Sequence, residues 1–447
     1  MSFAKKFEKV FQGLLPTPFT IAILLTLLTF LLALIITEPN NQNNHFLNIL
    51  SFWEKGIWHS PLLVFAIQMM LMLVLGHTLA LSKPIENMIS KAVQYCKNTE
   101  TSAAFITFFT ILVSLLNWGL GLIFGAIFAR KVGEYASKKN IQLNYPLIGA
   151  AGYSGLMVWH GGISGSAPIK IAEEGHFLAN KIGVISQAET VFSSMNIVIS
   201  IILLIILPLL MYYLGKYNQG DNINLTSEVK EGKTTISGAE KLDHSRFLAW
   251  IFGGTIILYA LYKAIILPEN ISLKIITPNY INLLLLGLSI LMHKNFFNFL
   301  KAVDSAILGA SGILIQFPLY FGIMGVMSSS GMVQIMSDFF VSISNETSFP
   351  IFTFISAAIV NVFVPSGGGQ WAVQGEIIVE AATQLGVSIP KSVMALAYGD
   401  QLTNMLQPFW ALPLLGITGL KAKEILPYTM ILFLAGIIIF ISGLLIF

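Results

Sequence analysis

Val364-Pro-Ser-Gly-Gly-Gly-Gln-Trp371 cuts through the middle of an apolar stretch, about 349–385, whose two sides each read as helix. Proline ends the first helix, because it lacks an N–H and clashes with the preceding turn. The three glycines then free the backbone before the chain resumes at Gln370. A second stretch, about 104–135, is interrupted in the same way by Asn117-Trp-Gly-Leu-Gly121. Irregular backbone at membrane depth is tolerated only where protein or a cavity surrounds it. Both stretches therefore read as re-entrant hairpins with polar, glycine-rich tips. A helix starting at Gln370 would turn its positive dipole end and free N–H groups toward the midplane, a seat for a carboxylate.

The rest of the chain supports a membrane setting. Of 447 residues, 55% are hydrophobic and 11% charged, against about a quarter charged in soluble domains. Apolar runs near the length needed to cross about 30 Å of hydrocarbon recur throughout. Crossing spans are expected near 17–37, 60–82, 144–170, 187–213, 246–266, 278–293, 303–328, 388–418 and 424–446. The fold class is thus an all-α polytopic membrane protein with about nine spans and two hairpins. Lys5, Lys6 and Lys9 precede a first span too long for the core of a cleaved signal peptide. A net charge of +3 without any basic tract excludes nucleic acid as a partner. Cys96 is the single cysteine, so neither a disulfide nor a cysteine metal site is available.

Starting inside and crossing nine times places 19 basic residues on the inner side and six outside, as the positive-inside rule asks. Lys170 falls among the outer six. At an offset of 248, Gln68 aligns with Gln316, Ser82 with Ser330, Gly119 with Gly367 and Gly121 with Gly369. After a three-residue gap, Tyr153 aligns with Tyr398. The halves are then 1–215 (hairpin 104–135, broken helix 144–170) and 267–447 (hairpin 349–385, broken helix 388–418). A cytoplasmic connector, 216–245, and a linking span, 246–266, join them. One linking span inverts the second half, and inverted repeats with a midplane site belong to secondary transporters.

Four polar clusters are candidates for the site. The tips supply Asn117, Trp118, Gly119 and Gly121, and Ser366, Gly367, Gly368, Gly369 and Gln370. The first broken helix supplies His160, Ser164 and Ser166, with Pro168 expected to unwind it. The second supplies Asp400, Asn404 and Gln407. Glycines also serve close helix packing, and Trp118, Trp159, Trp371 and Trp410 read equally as filler or as substrate wall. His160 is either a proton shuttle or a histidine satisfied by backbone carbonyls. Asp400, an acid deep in a broken span, is either the seat of a coupling proton or sodium ion or half of a structural pair. Gln68 and Gln316 are expected to brace the hairpins. With no Lys or Arg placed at the midplane, an anion would be held by backbone N–H groups, hydroxyls and amides, which suits a monocarboxylate. No cofactor is called for, and no H-E-x-x-H, P-loop or dense His or carboxylate cluster suggests an enzyme or a firm metal site.

At these residues the chain resembles the bacterial short-chain fatty acid transporters, within the wider ion-transporter superfamily. The likeness runs through Leu15-Pro-Thr-Pro18, Asn117-Trp-Gly-Leu-Gly121, Gly312-Ile-Leu-Ile-Gln-Phe-Pro318 and Val364-Pro-Ser-Gly-Gly-Gly-Gln-Trp371. It continues over 391–413, around Tyr398-Gly-Asp400 and Gln407-Pro-Phe-Trp410. The resemblance implies uptake of acetoacetate, butyrate or similar acids across the bacterial inner membrane, by symport with H+ or Na+. It also implies an elevator-like moving domain on a scaffold, and a homodimer by analogy. A transporter of another organic anion such as a dicarboxylate is the alternative, and a passive channel is a further one.

Overall fold

A computed structural model describes residues 17–38, 44–218, 220, 225, 238–407 and 410–447. Lys5, Lys6 and Lys9, the first two residues of Leu15-Pro-Thr-Pro18, most of the 216–245 connector, and Pro408 and Phe409 lie outside them. The regular elements are all helices. Among the described residues, seven are long and apolar enough to cross a membrane: Phe19–Ile36, Ser60–Ala80, Thr99–Leu116, Ser194–Tyr217, Arg246–Ile266, Phe296–Ser330 and Ala422–Ile446. Pro278–His293, Met332–Ile343 and Phe349–Phe363 are shorter apolar helices.

Helix α1 (Pro18–Ile36) opens on a proline, whose missing N–H costs nothing in a first turn. Its outward face shows Leu24, Leu27 and Leu31 more than half exposed. The same holds for Ile205 of Ser194–Tyr217 and for Phe247 and Trp250 of Arg246–Ile266. Large side chains left bare on peripheral helices match a lipid surround rather than water. Helix α2 (His45–Ile57), absent from the expected spans, packs on Ser311–Ser330 through glycines. A methyl at Gly56 would strike the Phe321 carbonyl, and one at Gly325 the Phe52 carbonyl. Small residues let two backbones approach this closely.

Helix α3 (Ser60–Ala80) runs through the interior, and α4 (Lys83–Ala92) follows it. Then come the first hairpin arms, α5 (Thr99–Leu116) and α6 (Trp118–Lys139). They are antiparallel, because contacts mirror about the turn: Gly121 lies on Ser114, Gly125 on Thr110, and the Phe105 and Phe128 rings are 6.2 Å apart. The arms are longer than the expected 104–135, because the helices begin at Thr99, capped by Asn98, and continue through the polar residues Ser137, Lys138 and Lys139. The first broken element follows as α7 (Tyr145–Tyr153), two 3-10 turns (Ser154–Met157 and Trp159–Gly161) and α8 (Ser166–Ile171). Pro168 does not unwind it. The break lies at 154–165, and Pro168 sits in the first turn of α8, where no N–H is needed.

Helices α9 (Ser194–Tyr217) and α10 (Arg246–Leu261, continued by a π turn to Ile266) lead into the second half. There α11 (Pro278–His293) is followed by α12 (Phe296–Ile307) and α13 (Ser311–Ser330), so the expected 303–328 span begins mid-helix and includes a 3-10 junction. After α14 (Met332–Ile343), the second hairpin consists of α15 (Phe349–Phe363) and α16 (Gly367–Leu385). Helix α16 begins at Gly367, three residues before the expected start, because Ser366 caps it. The second broken element is α17 (Ile389–Thr403) and α18 (Leu412–Thr418), and α19 (Ala422–Ile446) ends the chain.

Candidate functional site

The first tip turns on one residue. Asn117 is extended (φ −153°, ψ 127°), ends α5 and caps α6, its Oδ1 accepting the Leu120 N–H at 2.8 Å. The Trp118 N–H donates to Ser164 Oγ of the first broken element at 3.0 Å. Gly119 lies against the Leu73 carbonyl of α3, and Gly76 against the Asn117 side chain. This tip is bolted to its neighbours by backbone contacts.

At the second tip Ser366 is extended and its Oγ accepts the Gly369 N–H at 3.3 Å, while its carbonyl accepts the Gln370 N–H at 2.7 Å. That leaves the N–H groups of Gly367 and Gly368 as the opening donors of a 19-residue helix. A methyl at Gly367 would meet the His160 and Trp159 rings, and one at Gly368 the Phe317 and Phe65 rings. Gln370 turns back into its own hairpin, donating to the Ala357 carbonyl (2.8 Å) and to Gln374 Oε1 (2.7 Å).

The two broken elements clip each other's exposed backbone. The N–H groups of His160 and Gly161 donate to Gln401 Oε1 at 2.9 and 3.2 Å, and Asn404 donates to the Leu156 carbonyl at 3.1 Å. Asn361 Nδ2 of α15 donates to the Asp400 carbonyl (2.6 Å), Thr403 Oγ1 (2.9 Å) and Asn404 Oδ1 (3.1 Å). Gln407 donates to the Asn361 carbonyl at 3.2 Å. Asn404 thus spends its amide on the unwound chain at Leu156, and Gln407 on a carbonyl in the last turn of α15, buried backbone groups that must be paired.

His160 and Asp400, 0% and 1% exposed, meet at 2.8 Å between Nδ1 and Oδ2. The other ring nitrogen, Nε2, accepts the Ala167 N–H at 3.0 Å. An Nε2 that accepts bears no proton, so in a neutral imidazole the proton is on Nδ1 and is donated to Asp400. His160 is therefore a fixed donor: protonating Nε2 would oppose it to an N–H. Asp400 Oδ1, also buried, has no hydrogen-bond partner among the described residues.

Between these parts lies a tight cleft of about 10 Å³, room for about one water, walled by Trp118, Trp159, Ser166, Ser366, Gly367 and Gly368, with Met69, Leu156, Ile313, Phe317 and Trp410. It is level with the middle of α3, where Met69 sits. The Trp118 and Trp159 ring centres are 5.5 Å apart, and Trp159 stacks on His160 at 4.5 Å. The indole N–H groups of Trp118 and Trp159 are buried without a partner among the described residues. Of the expected site residues, Trp118, Ser166, Ser366, Gly367 and Gly368 line this cavity, with His160 and Asp400 directly behind Trp159. Asn117, Gly119, Gly121, Ser164, Gly369, Gln370, Asn404 and Gln407 hold the walls from behind. Trp371 is buried elsewhere, against Phe177. Met69, Leu156, Ile313 and Phe317 were not foreseen, since an apolar residue inside an apolar span carries no signal of its own. Among the described residues, no three His, Cys, Asp or Glu side chains gather as a metal set.

A sequence profile described as "Short chain fatty acid transporter" matches residues 3–447. A protein of Escherichia coli (strain K12) named for short-chain fatty acid transport is 36% identical over 442 residues, covering 97% of this chain and 96% of its own. A protein of Haemophilus influenzae named likewise is 35% identical, covering 96% of each. Among solved structures, the Alcanivorax borkumensis YdaH transporter superposes with a TM-score of 0.61 at 12% identity, covering 96% of this chain and 98% of its own. Neisseria gonorrhoeae MtrF, from a class of antimetabolite efflux pumps, gives 0.59 at 15% identity, covering 100% and 97%. At those identities the likeness is one of fold.

Proposed function

The chain belongs to the short-chain fatty acid transporter family, and from that premise we propose that it imports short-chain monocarboxylates such as acetoacetate or butyrate by secondary active transport. The observation that carries this reading is the pair of unpartnered indole N–H groups of Trp118 and Trp159, whose side chains wall the cleft that the second tip opens into. A carboxylate needs buried donors to replace water. Two indoles and the opening N–H groups of Gly367 and Gly368 would supply them, with the positive end of α16 behind. The aromatic and aliphatic wall would take a short acyl tail once the second tip moves to widen the cleft. No Lys or Arg lines the cavity among the described residues, so a second carboxylate would be left uncompensated there.

The coupling cation, a proton or sodium ion, is assigned to Asp400, whose free Oδ1 lies behind Trp159 and His160. Occupancy there would neutralise a buried charge beside the cavity, so that loaded and empty forms differ by little charge when they move. In this reading the two hairpins and two broken elements form the moving body of an inverted repeat, and travel elevator-like against the remaining spans of a dimer in the bacterial inner membrane.

The test is uptake of labelled butyrate and acetoacetate by purified protein in liposomes under an imposed proton or sodium gradient. Accumulation against the concentration gradient under one of them is expected. Equilibration without accumulation would make the protein a channel. Succinate competing as well as butyrate would replace the monocarboxylate assignment.

A further inference from the structure

Lys170 lies on the outer side of the sequence-based topology, yet the structure buries it to 2% exposure. Among the described residues it is the one buried Lys or Arg. Its ammonium donates to Glu173 Oε2 at 2.6 Å and to Gln68 Oε1 at 3.2 Å. Glu173 Oε1 accepts in turn from Gln68 Nε2 (2.5 Å) and from Asn279 Nδ2 (3.1 Å). Two of the three ammonium donors are thus used, and the remaining direction holds the Phe65 ring, 5.3 Å from ammonium to centroid.

Phe65 is a partition. Its far edge meets Gly368 and its ring packs on Phe317 at 6.3 Å, and both of those residues wall the tryptophan cavity. Lys170 is also one helical turn beyond Ser166, which lines the cavity, on the same face of α8. A buried ammonium is thus separated from the carboxylate seat by one aromatic ring.

Resting on the transport reading above, we propose that Lys170 is a second carboxylate subsite, which a short-chain acid reaches from the tryptophan cavity when the Phe65 ring swings aside. Two features set its chemistry. Glu173 and Gln68 keep the ammonium compensated while the subsite is empty, so burial is tolerated. The position given to a ring face is the weakest of the three contacts, and a carboxylate there would form a charge-assisted hydrogen bond, which is stronger than cation–π contact. The carboxylate needs only to exchange with the ring and leaves Glu173 in place. Since Gln68 belongs to α3 and Asn279 to α11, the subsite also stands where α8 meets these two spans.

The decisive experiment is a charge swap. In proteoliposomes, K170R is expected to retain butyrate uptake within a few-fold, whereas K170Q raises KM on the order of tenfold, the loss of one charge-assisted hydrogen bond. The double variant K170E/E173K keeps an ion pair and is expected to fare no better than K170Q, because its carboxylate then repels the substrate. Wild-type uptake by the swap would show the pair to be a structural tie and overturn the proposal, as would an unchanged KM in K170Q. Should the swap fail to accumulate in membranes, F65L decides, since it leaves the ion pair intact. Its KM for butyrate is expected to fall several-fold by removal of the competing ring, and an unchanged or raised KM overturns the proposal. If the wild-type protein accumulates no short-chain acid under any gradient, the transport reading fails and this subsite falls with it. Failure of the swap test alone leaves the transport reading standing.

Discussion

The two hairpin tips began as near-equivalents, Asn117-Trp-Gly-Leu-Gly121 and Ser366-Gly-Gly-Gly-Gln370, but the fold uses them in opposite ways. Glycines of the first tip are packing glycines: Gly119 lies against the Leu73 carbonyl, and Gly121 against the Oγ and the Cα of Ser114, so backbone stands in close reach of both. Glycines of the second meet side chains, chiefly the rings of Trp159, His160, Phe317, Phe65 and Tyr320. Backbone cannot yield, and rings can. The first tip is a post that fixes Trp118 in place, and the second is a movable face that carries open N–H groups. Glycine clusters in a membrane chain therefore mark close approach in general, and the atoms on the far side decide whether the approach is for packing or for a ligand.

Variants should separate the two tips, and the largest effect is expected where the second tip adjoins the His160–Asp400 pair. D400N should abolish gradient-driven accumulation of butyrate while exchange of labelled for unlabelled acid across the liposome continues. Loss of exchange as well would mean that Asp400 holds the fold together instead of carrying the coupling ion. Next comes the post. G121V drives a side chain into Ser114 and should cost about 3 kcal/mol or somewhat more, seen as a large drop in the thermal midpoint of detergent-solubilised protein. The matching G368A meets ring atoms at 3.0 Å and should leave that midpoint within about 1 kcal/mol of wild type while impairing uptake. Equal melting losses in both would erase the distinction drawn between the tips.

Smaller again is the effect of the indoles. W118F and W159F each remove one N–H donor while keeping most of the ring. Each should weaken binding of the acid by about 1.5 kcal/mol or more, roughly tenfold in KM. Neither should stabilise the empty protein by a comparable amount, since phenylalanine leaves a gap where indole packed. If uptake is unmoved in both, the carboxylate does not sit between these rings, and the second tip loses its role as a face for the anion.

Much of this arrangement could be read from residue types. The breaks at Val364 to Ser366 and at Asn117 were legible because proline and the neighbouring glycines act through the local backbone. Asp400 stood out because an acid in an apolar span has a cost that must be met. What could not be read depends on partners distant in sequence. The tautomer of His160 follows from an N–H seven residues on and a carboxylate 240 residues on. Asn404 and Gln407 read as candidate ligands, and in the fold their amides pair with the carbonyls of Leu156 and Asn361, because an amide that pairs with a carbonyl and one that awaits a substrate have the same letter. Lys170 was assigned to the outer side on charge counting, which registers the end of an apolar run and misses the loop of Gln68, Glu173 and Asn279 that closes over it. Pro168 was given the break because proline breaks helices, yet at a first turn it starts one.

The smallest expected effect concerns the caps. Asn117 and Ser366 do the same job at the two tips, each accepting an N–H of the following helix, but at 2.8 Å in one case and 3.3 Å in the other. S366A should therefore cost about 1 kcal/mol or less of stability, and N117A about twice that, since its amide also fills the space beside Gly76. With S366A the helix start at Gly367 persists, because the Gln370 N–H still reaches the carbonyl of residue 366, so KM for butyrate should rise by only a few-fold. Thermal midpoints and uptake measured on the same preparations test both halves of that statement. A tenfold or larger rise in KM with no change in midpoint would mean that the hydroxyl spends itself on the substrate rather than on the helix, and the movable face would then include a side-chain ligand as well as bare backbone.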